Sequence, residues 1–193
     1  MAPANTHVVP QLRHLIYYHL DSNLLRNALF LAGRLQACEP RSTEASYLLS
    51  LCHLRLGQLK AAYDNSRNAG SRGTHLGCSY VFAQACLGLE RYLEGATALE
   101  RSKGLWSVRN SWGMMNLSYR KGMPERLADI AASGKHTDTR RQHSPDAAAV
   151  YCLQGKLWQA QPDHQKAIDC FAEALKANPF MWDAFTALCD LGV

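Results

Sequence analysis

The chain has 193 residues, 47% of them apolar, and a formal net charge of +5. Such a length and apolar content suit one domain or a short repeat array, and they exclude a chain too polar to form a core. The start, MAPANTHVVPQLRHL, lacks the pattern of a secretory signal, and no apolar run reaches the roughly 18 residues of a spanning helix. We therefore expect a soluble intracellular protein with no membrane partner.

Three units of helical pattern follow one another in the first half of the chain, with starts near Val9, Thr43 and Leu76. Both intervals between these starts are about 34 residues, so the units have a nearly constant length. Each unit places small residues at matching points: Ala28 in the first, Ser50 and Ala62 in the second, and Ala83 and Gly95 in the third. A fixed period with small residues at fixed points predicts pairs of helices that pack closely and repeat.

Residues 103–146 break this period and form an irregular basic connection or insertion. Nine Lys/Arg stand against three Asp/Glu between Arg101 and Pro145, so the basic excess belongs to this segment. Basic residues near Trp106 and Trp112 would allow binding of nucleic acid, with the indoles stacking on bases. The basic residues lack regular spacing, so we favour a solvated loop and expect no nucleic-acid partner.

The period returns in AAAVYCLQGKLWQAQPDHQKAIDCFAEALKANPF, residues 147–180. The pattern predicts one helix over about 148–161 and a second over 164–177, with Asp163 as N-cap and Asn178-Pro179 as the stop. Gly155 on the first helix and Ala167 on the second allow the backbones to approach. A further first helix starts at 182, in WDAFTALCDLG, and the chain stops before a second helix follows it.

This succession of large residue, glycine, alanine, aromatic residue, alanine and proline across about 34 residues is the tetratricopeptide pattern. We therefore predict an all-α, right-handed tetratricopeptide-repeat solenoid over residues 1–193, with units near 9, 43, 76 and 148 and a partial one at 182. The residues expected to make the close helix contacts are Ala28, Ser50, Ala62, Ala83, Gly95, Gly155, Ala167 and Ala174, with Pro179 closing the last full unit.

Catalytic and metal-binding patterns are absent from the sequence. There is no GxSxG, P-loop, GxGxxG after a strand, or HExxH. The seven cysteines form no CxxC pair and fit small buried hydrophobes in a reducing compartment. His19 and His53 are expected to be packed histidines rather than general bases. We expect no enzyme activity, no cofactor and no metal.

The first helix of each unit lines the concave side of such an array, and its inward positions are mostly apolar. Arg13, Tyr17 and Leu20 take these positions in the first unit. The next two units supply Tyr47, Leu51, Leu54, Tyr80, Gln84 and Leu87. Two readings remain open: packing between repeats, or a groove for an apolar helix. A clamp for a C-terminal carboxylate is disfavoured, because Tyr17, Leu48, Gly77 and Val81 stand where such clamps need polar or basic residues.

The runs ALFLAGRLQACEP, SYLLSLCHLRLGQLKAAYDNSR and KANPFMWDAFTALCDLG resemble the N-terminal region of the cell-division-cycle-27 type subunit of the anaphase-promoting complex, fungal members included. A segment near 113–134 departs from that family. The resemblance implies a non-catalytic scaffold in a multisubunit E3 ubiquitin ligase of the nucleus and cytoplasm, with other subunits of that complex as partners.

The resemblance also implies a homodimer in which the first helix of each copy enters the groove of the other. Leu12, Leu15 and Ile16 would then insert, and Tyr17, Leu20, Tyr47, Leu51, Leu54, Tyr80 and Leu87 would line the groove, called here the predicted groove. The alternative is a monomeric adaptor that captures an apolar helix of another protein.

Overall fold

The computed structural model describes residues 5–106 and 145–193, and every regular element in these ranges is an α-helix. The all-α fold built of helix–turn–helix pairs is therefore confirmed. The chain divides into two compact units, Met1–Lys103 and Gly104–Val193. Most of the basic segment predicted to break the repeat, including the 113–134 stretch, lies outside the described residues.

The first unit consists of three successive antiparallel helix pairs. These are α1 (Asn5–Asp21) with α2 (Leu25–Cys38), α3 (Thr43–Arg55) with α4 (Leu59–Gly70), and α5 (Leu76–Gly88) with α6 (Tyr92–Arg101). The helices α3 and α5 begin at the starting points read from the sequence. In contrast, α1 begins before the expected start near Val9 and contains Pro10 within the helix.

The second unit contains one further pair and one additional first helix. A short helix, α7 (Lys103–Trp106), crosses the boundary between the units in sequence, and α8 (Ala147–Ala160), α9 (His164–Ala177) and α10 (Trp182–Asp190) follow. The Asp163 carboxylate accepts a hydrogen bond from the Lys166 amide at 3.3 Å, so the predicted N-cap is confirmed. Three other described helix starts use the same kind of side-chain cap, with Ser42 before α3, His75 before α5 and Asp146 before α8.

Small residues occupy the helix contacts of both units. Ala28, Ser50, Ala62, Ala83, Gly95, Gly155, Ala167 and Ala174 are all buried, and Pro179 is exposed in the turn after α9. A Cβ added to Gly155 would lie 2.6 Å from the ring of Phe171. This distance is too short for any side chain, so the glycine is what lets α8 and α9 approach. Among the described helices, none is long and apolar enough to cross a membrane.

Candidate partner-binding surface

The predicted groove divides into buried and partly buried side chains. Leu20 and Tyr47 are buried in the core of the first unit. Partly buried residues make up the rest, namely Tyr17, Leu51, Leu54, Tyr80 and Leu87. Tyr17, Leu51 and Leu54 also pack against the core cluster. Packing between repeats therefore accounts for Leu20, Tyr47 and the three residues that contact the core cluster. The interpretation as a groove for an apolar helix stays a prediction.

Tyr47 illustrates the packing role. Its ring lies on the backbone of Gly77, where an added Cβ would stand 2.7 Å from two ring carbons. The ring centroid is also 5.6 Å from that of His75. Burial raises the pKa of the Tyr47 phenol, so this hydroxyl stays neutral. Tyr47 thus joins α3 to α5 within one chain, and a partner would reach little of its surface.

The residues predicted to insert into a partner differ strongly in exposure. Ile16 is fully buried and Leu12 packs against the same core, whereas Leu15 is 42% exposed. The α1 helix must first attach itself to α2, and Ile16 lies on the face that does so. Assigning Ile16 to an inserting surface was therefore wrong for this fold, and only Leu15 of the three is well exposed.

Two apolar residues of α1 that the sequence analysis missed are exposed beside Leu15. Val8 is 43% exposed and Tyr18 is 57% exposed. With Leu15 they follow the spacing i, i+7, i+10, which places all three on one helix face. This set, Val8, Leu15 and Tyr18, is the α1 stripe. Its spacing was visible in the sequence, but nothing there distinguished this face from the one that packs on α2.

Charge in the predicted groove is neutralised within the chain. The Arg13 guanidinium lies 2.7 Å from a Glu39 carboxylate oxygen and 3.2 Å from one of Glu44. Burial, reinforced by the Glu44 charge, raises the pKa of Tyr17 to about 12. At neutral pH the phenol is therefore uncharged and the arginine is paired. Apolar contact, rather than capture of an anion, is the interaction that this region favours.

The positions that would form a carboxylate clamp support the same conclusion. Leu48, Gly77 and Val81 are buried. None of these three offers a polar side chain, and Arg13 is already held by Glu39 and Glu44. A peptide carboxylate placed here would lose its hydration without gaining hydrogen-bond donors, which is unfavourable.

Chemistry-bearing residues do not gather at any point in the described ranges. No group of three or more His, Cys, Asp or Glu side chains within them could hold a metal ion. His53 is partly buried, and its Nδ1 lies 2.6 Å from the Gln58 side-chain oxygen in an exposed contact. The His19 ring meets Tyr18 edge to face at 5.3 Å, and its buried Nδ1 has no hydrogen-bond partner among the described residues.

One of the two indoles considered for stacking on nucleic-acid bases is part of a core. Trp106 is buried and contacts Tyr151 edge to face, with 4.7 Å between ring centroids. A base could not reach this ring without unfolding the contact. Trp112 lies outside the described residues.

Comparison with known proteins gives the family context of this surface. Residues 21–102 match the family model described as "Anaphase-promoting complex, cyclosome, subunit 3". Over 193 residues the chain is 60% identical to protein bimA of Emericella nidulans, covering all of this chain and 21% of bimA. It is 30% identical over 183 residues to anaphase-promoting complex subunit 3 of Schizosaccharomyces pombe, covering 95% of this chain and 24% of that protein.

A more distant relative is the cell division cycle protein 27 homolog of Homo sapiens. The two are 28% identical over 177 residues, which are 92% of this chain and 18% of the human protein. The chain thus spans about a fifth of the length of the curated relatives it matches. The family resemblance read from the sequence is confirmed.

Among solved structures, the MamA RS-1 ArsTM double mutant is similar to the chain. Its TM-score is 0.65 at 15% identity, and the match covers 95% of this chain and 82% of that one. A similarity at so low an identity indicates a shared fold and nothing more. The predicted tetratricopeptide fold is thereby confirmed.

Proposed function

We propose that the chain, whose residues 21–102 match the family model of anaphase-promoting complex subunit 3, is a non-catalytic scaffold domain of that complex. In this role it associates with a second copy of itself and with neighbouring subunits. The whole complex is an E3 ubiquitin ligase, and this domain would hold subunits in place rather than take part in ubiquitin transfer. The similarity to a relative named as a subunit of the complex supports this assignment.

The observation that carries self-association is the α1 stripe. Three apolar side chains, each more than two-fifths exposed, lie on one face of the first helix. Burying them would remove apolar surface from water, at about 25 cal/mol per Å². Partly buried Leu51 and Leu54 on α3 offer apolar surface that a helix from a second copy could contact. We propose that the α1 stripe of each copy lies against this region of the other.

Cysteine chemistry supports the proposed compartment. All seven cysteines are free thiols. Free thiols persist in the reducing nucleus and cytoplasm, where structural disulfides are rare. We propose that the protein functions in these two compartments.

A chimera of a relative, in which this chain replaces the matching region, tests the scaffold proposal. The matched fifth of bimA would be replaced by this chain, and the complex purified through another subunit. We expect the chimera to enter the complex. Leu15→Glu with Tyr18→Glu should reduce its incorporation, while Leu93→Glu, a matched change on the exposed face of α6, should not. A chimera that folds but never enters the complex would refute the scaffold role.

Two differently tagged copies of the chain distinguish the scaffold from the alternative adaptor. If the domain associates with itself, each tag should recover the other copy, and the double substitution in the α1 stripe should abolish this. A monomeric adaptor would recover a different protein in equal amount and never a second copy of itself.

A further inference from the structure

The side of α2 that faces away from the core differs from the same side of the other second helices. Phe30 is 61% exposed, the highest value among the large apolar side chains that the structure describes in the first unit. At the same distance from the starts of the other units, α4, α6 and α9 carry the polar residues Asp64, Thr97 and Asp169. A position that faces water is expected to be polar. The aromatic ring on α2 therefore calls for a contact outside its own helix pair.

Two arginines flank Phe30 on the same side of the helix. Arg26 and Arg34 lie four residues before it and four residues after it, a spacing that places the three side chains next to one another. Both arginines are exposed, and the guanidinium carbon of Arg34 lies 5.1 Å from the centre of the Phe30 ring. Between Leu25 and Cys38 the helix contains no Asp or Glu. This side of α2 is therefore apolar at its centre and positively charged at both ends.

Gly33 lies beside Phe30 and has no packing role within the described residues. A Cβ added to it would meet no neighbouring atom within 4 Å. A glycine inside a helix destabilises it relative to alanine, because the unfolded backbone is more flexible. The contact with Phe171 explains such a residue at position 155, but no contact within the described residues explains Gly33. Close approach of a partner backbone would account for it.

We propose that this side of α2 binds an acidic amphipathic helix of a neighbouring subunit. The surface, called here the α2 face, consists of Arg26, Phe30, Gly33, Arg34 and Ala37, all of them exposed. The partner would place an apolar residue against Phe30 and over Gly33, with Asp or Glu about three or four residues to either side, within reach of the two arginines. That the helix comes from a neighbouring subunit rests on the proposed scaffold function.

The charge and the sequence pattern of the chain argue against an occupant from the chain itself. Between Arg101 and Pro145 there are nine Lys/Arg and three Asp/Glu, so like charge disfavours contact of that segment with the α2 face. A second copy would offer the large apolar residues that are exposed in the described ranges. None of these is flanked on both sides by Asp or Glu at a distance of three or four residues. A separate acidic polypeptide is the occupant that matches the α2 face.

A designed peptide tests the α2 face itself. The probe is a helix-forming peptide of about 20 residues, long enough to hold a helix in water, with leucine at its centre and glutamate four residues to either side. A second peptide carries lysine in place of both glutamates. Binding to the chain is followed by NMR titration of the α2 amide groups at low salt. The acidic peptide should bind about tenfold more tightly than the lysine peptide, and its affinity should fall as salt is added.

Three variants separate this contact from a general effect on folding. Gly33→Ala should stabilise the chain and yet weaken binding of the acidic peptide by about fivefold or more, because the added methyl group holds the backbones apart. Phe30→Ala should weaken binding by about tenfold. Leu93→Ala is the control, since it truncates an apolar residue of similar exposure on α6, and it should leave binding unchanged. Absence of binding, equal binding of the lysine peptide or unchanged binding to Gly33→Ala would overturn the proposal.

A photo-crosslinker tests the source of the helix. Phe30→p-benzoylphenylalanine is introduced into the bimA chimera, which is purified through a tag of its own, and mass spectrometry identifies the peptide joined to position 30. We expect a peptide from another subunit of the complex, with an apolar residue between two acidic ones. A crosslink within the same polypeptide, a crosslink to a second copy, a peptide without this acidic pattern or no crosslink at all would refute the proposed occupant.

The scaffold function and the α2 face can fail separately. If the chimera stays out of the complex while the acidic peptide binds the chain as expected, the scaffold function and the neighbouring source are refuted, and the α2 face stands as a site for an acidic helix. If the chimera enters the complex but the acidic peptide does not bind the chain, only the α2 face is refuted.

Discussion

The ring of Phe171 lies against the backbone of Gly155, at a distance that leaves no room for a Cβ. This contact between α8 and α9 explains why the repeat requires a glycine or another small residue at that point. The ring fills the space that a side chain at position 155 would occupy, and it is itself fully buried. The same principle recurs between α3 and α5, where the Tyr47 ring lies on Gly77.

Gly155→Ala should destabilise the second unit. The added methyl group would overlap the Phe171 ring, and overpacking of this kind costs about 1–3 kcal/mol. Gly33→Ala is the control, because no atom lies within 4 Å of the added group, and there alanine should stabilise the helix by about 0.5–1 kcal/mol. Urea denaturation measures both. Equal effects of the two substitutions would contradict the role given to the Gly155 contact.

Two tyrosines of the first unit should respond very differently to truncation. Tyr47→Ala removes a buried ring and should lower the free energy of unfolding by about 3–5 kcal/mol. Tyr18 is mostly exposed in a single chain, so Tyr18→Ala should change the free energy of unfolding by less than about 0.5 kcal/mol. The comparison requires dilute protein, where self-association does not contribute. A large decrease in the free energy of unfolding for Tyr18→Ala under these conditions would show that Tyr18 belongs to the core instead.

The stability of the first unit should fall in mild acid because of His75. This side chain caps α5, with its Nδ1 accepting a hydrogen bond from the Cys78 amide at 3.2 Å. Burial lowers the pKa of His75 from its ordinary value of 6.5, against a smaller opposing effect of Glu44. The neutral form is therefore favoured by folding, and its stabilisation is complete above pH 6.5 and is lost as the pH falls through the lowered folded pKa.

His75→Asn is the matched variant for this effect. Asparagine can cap the helix but does not titrate. Thermal unfolding between pH 7.5 and pH 5 should show a smaller loss of stability for the variant than for the wild type. The same loss in both proteins would show that other groups cause the acid sensitivity.

Five of the seven thiols should fall into two classes of reactivity. Burial raises the pKa of Cys52, Cys78 and Cys86 to about 12, so almost no thiolate exists at neutral pH. Cys38 and Cys189 are exposed. Brief treatment of the native protein with iodoacetamide should modify the exposed pair and leave Cys52, Cys78 and Cys86 intact until denaturant is added. Modification of Cys52 or Cys78 without denaturant would contradict the packing of α3 and α5.

Much of the fold could be predicted from the sequence because its signals are local. Asp163 and Pro179 mark the start and the stop of α9, and small residues at a fixed period mark the helix contacts. The sequence could not show in the same way which side chains of the predicted groove are buried and which stay partly exposed. The burial of Tyr47 depends on Gly77, which belongs to the next helix pair, and inward positions of a repeat helix serve packing and binding alike.

The same difficulty applies to α1. Ile16 and Leu15 are adjacent apolar residues in the sequence, yet one is fully buried and the other largely accessible. Their difference is set by which face of α1 packs into the core, and no local pattern specifies that face. Leu54, a lining residue of the predicted groove, packs against the core. A substitution there would disturb folding as well as association.

The most direct test of self-association is the solution mass of the chain by light scattering over a dilution series. The wild type is compared with Leu15→Glu/Tyr18→Glu, whose changes lie on the exposed stripe, and with the control Leu93→Glu. We expect twice the 21.5 kDa of one chain for the wild type and the control, and a folded monomer for the double variant. A wild-type chain that is monomeric at micromolar concentration, or a double variant that remains dimeric, would contradict it.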